Sequence, residues 1–326
     1  MGEAPLTETD DPRRGPLVFL GTALFAVPAL ATLAAAGESL ALVVTQPDRP
    51  KGRGRKLEPS PVKREAERLG LPVFQPERLS DPGAVARLAA LHPEFLVVVA
   101  YGQLLRPEVL ALPRRGTVNL HPSLLPRHRG PSPVAWTLLH GDAEGGNTTM
   151  FLDEGMDSGP LLLQEVKAGP PDATRGELEA SLALSGADLL VRTLAGVRRG
   201  EIAPRPQDPA AMTLSQLITR DLRPVPWDLP APQVRGRVHA LAPSPGAVCR
   251  CDGKLLKVLR VAEAPGAGPP ATVLGHDPGG PRVACGAGAL VLTQVQPEGR
   301  RAMTGAEFVR GGGAPVGSRL EAPWDG

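Results

Sequence analysis

Cysteine is nearly absent from this chain. Cys249, Cys251 and Cys285 are the three among 326 residues. An odd number gives no even disulfide framework, and Cys249-x-Cys251 lacks the paired spacing of a zinc site, so all three are expected to be reduced core thiols of a cytoplasmic protein. Net charge is also scarce: 36 Lys and Arg face 34 Asp and Glu, leaving +2. Any polyanion site must therefore come from local clustering. Long unbroken apolar runs are missing. The uncharged stretch from Gly15 to Gly37, preceded by Arg13-Arg14 and closing on Ala34-Ala35-Ala36, has the outline of a signal peptide or a short span, but Gly21 and Pro28 interrupt it. Leu17 to Leu20 followed by Gly-Thr and an alanine-rich segment suits a buried first strand and helix, so no membrane association is expected. The dinucleotide fingerprint is missing as well. Gly21 has no second and third glycine at the required offsets, and Gly286-x-Gly288 lies outside any βαβ context, which argues against an NAD dehydrogenase.

What the chain does contain is enough for two domains, with 42% hydrophobic residues to build their cores. Apolar runs at 17–20, 40–45, 95–100 and 117–121 alternate with helix-like segments near 24–36, 61–69 and 83–92. That alternation predicts an α/β fold with a doubly wound, mostly parallel sheet. Helix-like residues 131–140 and 174–199 complete this first domain, assigned to 16–202 behind a disordered polar tail at 1–15. A proline-rich linker at 203–213 follows. Beyond it, in 214–326, short apolar runs at 247–251, 255–261, 271–274, 282–285 and 289–295 predict a small β-barrel of the oligonucleotide-binding (OB-like) type.

Chemistry gathers between residues 117 and 159. Thr117 to Leu125 begins as a strand and delivers Asn119 and His121 at its C-terminal end, where open α/β sheets bind ligands. Side chains at i and i+2 share a face roughly 6 to 7 Å apart, so both could touch one small group. Asn147 to Asp153 reads as a further strand, and Glu154-Gly-Met-Asp-Ser-Gly159 as a tight acidic turn from which Asp157 could reach the imidazole. An amide donor, a histidine and a carboxylate, with no Ser or Cys nucleophile evident, suit acyl transfer without a covalent intermediate. Separately, Arg49, Lys51, Arg53, Arg55 and Lys56 sit among prolines and glycines after the second strand, as a mobile basic loop poised to meet phosphates. Val97 to Leu105 is a buried strand ending in Tyr101-Gly102, a turn that lets a flat ligand approach the backbone.

Asn119-Leu-His-Pro-Ser-Leu-Leu-Pro-Arg-His-Arg-Gly130 followed by Gly155-Met-Asp-Ser-Gly-Pro-Leu161 closely resembles the catalytic signature of the folate-dependent formyltransferases. The basic loop, the Gly21-Thr-x-x-Phe-Ala26 turn and the segment from Gln296 to Phe308 resemble those of the methionyl-tRNA formyltransferase family, and the likeness runs from residue 17 to about 320. The resemblance implies formyl transfer from 10-formyltetrahydrofolate as co-substrate to initiator methionyl-tRNA, by a monomer that needs no metal. It implies Asn119, His121 and Asp157 as catalytic residues. It places folate against Tyr101, Gly102, Gln103, Leu104, Ser123, Leu124, Leu125, Pro126 and Met156, with a cis peptide at Leu125-Pro126. It assigns tRNA contacts to Arg49, Lys51, Arg55 and Lys56 with Arg53 as the key loop arginine, and to the barrel. Some family features are missing: Ala23-Leu24 replaces a Pro-Asp, Leu217 a linker lysine, and Ala242-Pro-Ser-Pro245 lacks an Asn and a Trp. Two alternatives remain, a formyltransferase for a nucleotide-linked amine or amino sugar and a non-catalytic tRNA-binding protein.

Overall fold

A computed structural model describes residues 15–51, 56–168 and 172–324. The expected tail and the loop residues Arg53 and Arg55 lie outside the described residues. By its internal contacts the chain forms two units, the first comprising residues up to 130, 146–167 and 180–214, the second 131–145, 168–179 and 215 onward.

The first unit is built on strand β1 (Leu17–Gly21), whose side chains are all buried. A strand buried on both faces has to be apolar throughout, which is why the run does not alternate. A single 3-10 turn leads into helix α1 (Val27–Ala35), and Ala26 at its N-cap with Ala29, Leu30 and Leu33 in it pack at helical spacing on the row of Leu17, Phe19, Val97 and Val99. Strand β2 (Leu40–Val44) returns parallel to β1. The flanks of the basic loop are not free. They form strands β3 (Arg49–Lys51) and β4 (Lys56–Glu58), paired antiparallel as a two-stranded ribbon. Helix α2 (Pro61–Arg68) starts where the Ser60 hydroxyl accepts the Lys63 amide and Pro61 takes the first helical position. Strand β5 (Val73–Phe74), helix α3 (Pro82–Ala89), strand β6 (Phe95–Val99), helix α4 (Pro107–Leu110) and strand β7 (Thr117–His121) follow. Helix α5 (Pro133–His140) leaves for the second unit. Strands β8 (Glu144–Phe151) and β9 (Leu161–Ala168) complete a seven-stranded sheet in the order β5-β2-β1-β6-β7-β8-β9, parallel from β5 to β7 with β8 antiparallel to β7. Strand order reverses between β1 and β6, the switch point where such sheets leave a crevice at their C-terminal edge.

Helix α6 (Arg175–Arg199) runs through both units, and its C-terminal half, with Ala187, Leu190 and Leu194, covers the α1 side of the sheet. Near its end Arg198 donates to Glu38 at 2.7 Å and to Glu94 at 3.0 Å, with side chains only 7%, 2% and 2% exposed.

The second unit packs α5 and helix α7 (Ala231–Leu241) with strands β10 (Ala247–Cys251), β11 (Lys254–Ala264), β12 (Val273–Asp277), β13 (Gly280–Ala284), β14 (Ala289–Pro297) and β15 (Met303–Thr304), before a last helix α8 (Gly305–Arg310). Helix α5, expected to complete the first domain, thus belongs with α7, and no helix was foreseen at α7. The strands are antiparallel in the order β10-β11-β14-β13-β12, with β15 on β14. Glu321 pairs with Arg250 on β10 while Arg319 pairs with Thr272 just before β12, so the chain end bridges the two open edges of the sheet. This is the small barrel expected from the strand spacing. All three cysteines are free and buried in it. Burial raises their thiol pKa values, that of Cys285 to about 11, which leaves them unreactive.

Candidate active site

Strand β7 sets the first two groups. Val118 and Leu120 join the core on the α1 side, and by alternation Asn119 and His121 leave on the opposite face, Asn119 in register with Val98. Both are nearly buried, at 8% and 5% exposure. His121 Nε2 lies 3.0 Å from the His128 carbonyl. A carbonyl oxygen only accepts, so Nε2 carries the hydrogen and the ring is held in one orientation. Asn119 differs. Its amide has no hydrogen-bond partner among the described residues and, unlike the fully buried unpartnered groups, keeps some solvent access.

Asp157 comes from the acidic turn after β8. Its Oδ2 accepts the Gly130 amide at 2.8 Å and lies 3.6 Å from His121 Nδ1. That contact is longer than a hydrogen bond. Nδ1 donates to this carboxylate only when the ring carries two protons. The turn itself is tightly built. Asp153 Oδ1 accepts from the Gly155 amide and the Ser158 hydroxyl, and Asp157 adopts a left-handed backbone with φ of 51°. A Cβ at Gly159 would stand 1.9 Å from the Phe151 carbonyl, so only glycine lets the turn lie so close to the end of β8.

Several polar residues that sequence reasoning missed complete this frame. Gln207 is 8% exposed, although it falls in the stretch expected to be a linker. Its Nε2 donates to the carbonyls of Asp157 and Gly159, each at 2.8 Å, and its Oε1 accepts from Arg129 Nε and Nη2 at 2.9 and 2.7 Å. Nearby, Thr213 accepts the His128 amide on its hydroxyl and the Arg129 amide on its carbonyl. Residues 205 to 214 therefore buckle the loop after β7 to the turn after β8. A glutamine among Pro204, Pro206 and Pro209 carries no periodicity that could have marked it.

Among the described residues of the first unit, two cavities bear on ligand binding. One, of about 570 Å³, is lined by Arg78, Gln103, Leu104, Arg106 and Glu154, among others. Leu104 is 76% exposed and Met156 53%, apolar surface left open to a ligand. The other, of about 460 Å³, sits at the switch point beyond β1, β2 and β6, lined by Thr22, Gln46, Arg49, Arg64, Tyr101 and Gly102. The remaining residues expected at folate are divided. Ser123 and Leu125 are buried, Ser123 donating to the Arg127 carbonyl and the Leu125 amide to Thr148, while Leu124 and Pro126 are half-buried. Leu125-Pro126 is cis, as expected, and so are Ala242-Pro243 and Ser244-Pro245, which were not. The Tyr101 ring is 1% exposed within the core, and burial pushes its phenol up to about 12. Its backbone carbonyl, accepting from Thr22 and Gln46, faces the switch point instead. Of the basic residues, Arg49 donates to Gln46 at 2.7 Å, and the backbones of Lys51 and Lys56 pair across the ribbon.

Comparison with known proteins fits this geometry. The formyl transferase family model matches residues 17–194 and the formyl transferase C-terminal domain model matches 217–313. The methionyl-tRNA formyltransferase of Roseiflexus sp. (strain RS-1) is 48% identical over 308 residues, covering 93% of this chain and 94% of its own. That of Myxococcus xanthus (strain DK1622) is 43% identical over 93% of this chain and 97% of its own. Among solved structures, HypX from Aquifex aeolicus in complex with tetrahydrofolic acid superposes with a TM-score of 0.63 at 16% identity, over 90% of this chain and about half (46%) of HypX. WlaRD, a sugar 3N-formyl transferase with dTDP and 5-N-formyl-THF, gives 0.64 at 13% identity, over 88% of this chain and 99% of its own. At these identities the two structures speak for the fold alone. The sequence relatives, matched over nearly their whole length, speak for more: this chain belongs to the folate-dependent formyl transferase family, among the methionyl-tRNA formyltransferases.

Proposed function

We propose that this protein transfers the formyl group of 10-formyltetrahydrofolate to the α-amine of initiator methionyl-tRNA, giving N-formylmethionyl-tRNA and tetrahydrofolate. The observation that carries the chemistry is the Asn119 amide, without a partner among the described residues, beside a histidine whose ring is already fixed by the His128 carbonyl. The folate supplies the formyl carbon. As the amine attacks, negative charge grows on the formyl oxygen, and the Asn119 amide would donate to it, an effect worth about 3 kcal/mol per donor, while the imidazolium form of His121 would add a nearby positive charge. Asp157, 3.6 Å from Nδ1, stabilises the protonated ring and takes part in removing the proton of the attacking ammonium, directly or through water. The cavity of about 570 Å³ suits a folate, with Leu104 offering an apolar face for the pterin ring and Arg78 and Arg106 offering cations for its carboxylate tail. No metal is assigned to the reaction.

Arg49, Lys51, Arg53, Arg55 and Lys56 are the groups we assign to the acceptor stem, and the barrel to the body of the tRNA. A ribbon of cations and an antiparallel barrel favour a large polyanionic acceptor over a free amino sugar. We assign the protein to the cytoplasm as a monomer. Incubating it with radiolabelled methionyl-tRNA, with and without the folate donor, tests the reading. Label should move to the N-formyl product only with donor present. Transfer to a nucleotide-linked amino sugar in its place, or tRNA binding with no product, would replace the assignment.

A further inference from the structure

The catalytic carboxylate is held by its backbone as much as by its side chain. Asp157 sits at φ of 51°, a left-handed conformation that Asp tolerates better than most residues, and the bonds around it hold it there. The group that faces its carbonyl is the Gln207 amide, which bonds the carbonyls on both sides of Ser158 with one nitrogen. Gln207 could not rotate to present its oxygen there. The Arg129 guanidinium donates two hydrogens to Oε1, which fixes the amide with its nitrogen toward the turn. Arg129 belongs to the same loop as His128, whose carbonyl fixes the His121 ring, and as Gly130, whose amide holds the Asp157 carboxylate. One side chain thus closes a loop of bonds that passes through both members of the His121 and Asp157 pair.

We propose, on the formyl-transfer reading above, that Gln207 is a positioning residue for the reaction: oriented by Arg129, it sets the Asp157 turn so that the carboxylate faces His121 Nδ1. Its proposed effect on the chemistry runs through the Asp157 carboxylate, not through a contact with substrate. Its removal should therefore lower kcat with little effect on binding, and should cost nothing further once Asp157 is gone.

The full-length enzyme is assayed as wild type, Gln207→Leu, Gln207→Glu, Asp157→Asn and the Gln207→Leu/Asp157→Asn double variant. Gln207→Leu removes both arms, while Gln207→Glu keeps an acceptor for Arg129 and loses the donor to the turn. Each should lower kcat at least about tenfold with KM for methionyl-tRNA within about twofold, and the double variant should be no slower than Asp157→Asn. Unchanged kcat in a folded variant, or losses that multiply in the double variant, would overturn the proposal. Failure of both single variants to fold would also overturn it, since Gln207 would then serve the fold. The resonance of His121 Nδ1 in the ¹⁵N-labelled protein supplies a readout that needs no turnover. It should move in Gln207→Leu in the same sense as in Asp157→Asn, and an unmoved signal counts against positioning. If the wild type transfers no formyl group, the functional reading fails while this spectrum still decides whether Gln207 sets the pair.

Discussion

The imidazole of His121 is gripped on one nitrogen and addressed on the other. Nε2 donates to the His128 carbonyl at 3.0 Å, while Nδ1 faces Asp157 Oδ2 at 3.6 Å. With the ring pinned this way, rotation cannot exchange the two nitrogens, and the open side of the site is left to the Asn119 amide. Substituting Asn119→Ala, His121→Ala or Asp157→Ala should each lower turnover by at least about a hundredfold. Melting should be little changed for Asn119→Ala, whose amide has no partner to lose among the described residues. Single-turnover assays beside thermal melts check this, and any variant within fivefold of wild type would leave the mechanism.

Arg53 lies outside the described residues, yet the family resemblance, which makes it the key loop arginine, implies a distinct expectation. Arg49→Ala and Arg55→Ala should weaken initiator and elongator methionyl-tRNA about equally and reduce the salt slope by about one unit, as charge contacts without sequence content do. Arg53→Ala should also reduce the preference for the initiator. The measurement is kcat/KM for both tRNAs at two salt concentrations. An intact preference would reduce this loop to a phosphate clamp.

A stability prediction follows from Arg198, Glu38 and Glu94. Arg198→Met would leave two carboxylates buried without their shared cation, at a cost of about 3 to 5 kcal/mol. The neighbouring Arg199 pairs with Glu201 in the open, where both side chains are more than half exposed, and its loss should change stability by less than about 0.5 kcal/mol. Urea denaturation of the two variants separates these outcomes. Adding Glu38→Gln to Arg198→Met should recover part of the loss.

In the barrel unit, His239 is 1% exposed and its Nε2 accepts the Val261 amide at 3.2 Å. Burial first, then the nearby Arg260 and Arg235, lower its pKa from 6.5 to about 4. Between these values the unfolded chain takes up a proton that the folded one refuses. Its contribution is therefore complete above about pH 6.5, is lost as pH falls toward 4 by up to about 3 kcal/mol, and changes no further below that. His239→Gln, which keeps an acceptor but does not titrate, should flatten stability between pH 6.5 and 4. An unaltered pH profile would show that other groups set it.

That Asn119, His121 and Asp157 come together was legible because local rules happen to coincide there. Asn119 and His121 break an apolar strand on one face only, and Asp157 lies in a turn marked by glycines on both sides. Helix α7 was not legible. Its segment carries Pro232 near the start and Gly236 in the middle, both poor helix formers. Packing explains the glycine, since a Cβ at 236 would stand 2.7 Å from the Leu138 carbonyl in α5. Close approach of the two helices outweighs a propensity cost of about 1 kcal/mol. The split role of Tyr101 was not legible either: its ring fills the core among Val18, Leu20 and Val98, while the Tyr101-Gly102 turn lines the switch-point cavity. Gln207 was hidden because its partners Asp157 and Gly159 lie 50 and 48 positions away.

The strap from Arg205 to Leu214 also bears on how such enzymes can be recombined. Composition invites a splice in the proline-rich stretch, and the two family-model regions leave residues 195–216 unclaimed between them. A chimera joined near residue 202 would keep Asn119, His121 and Asp157 but import a foreign residue opposite the Asp157 carbonyl. Its parts could each be sound while the hybrid ran slowly, for want of one amide inherited from the wrong parent. Crossovers placed after Leu214 would pass that amide on together with the loops it braces.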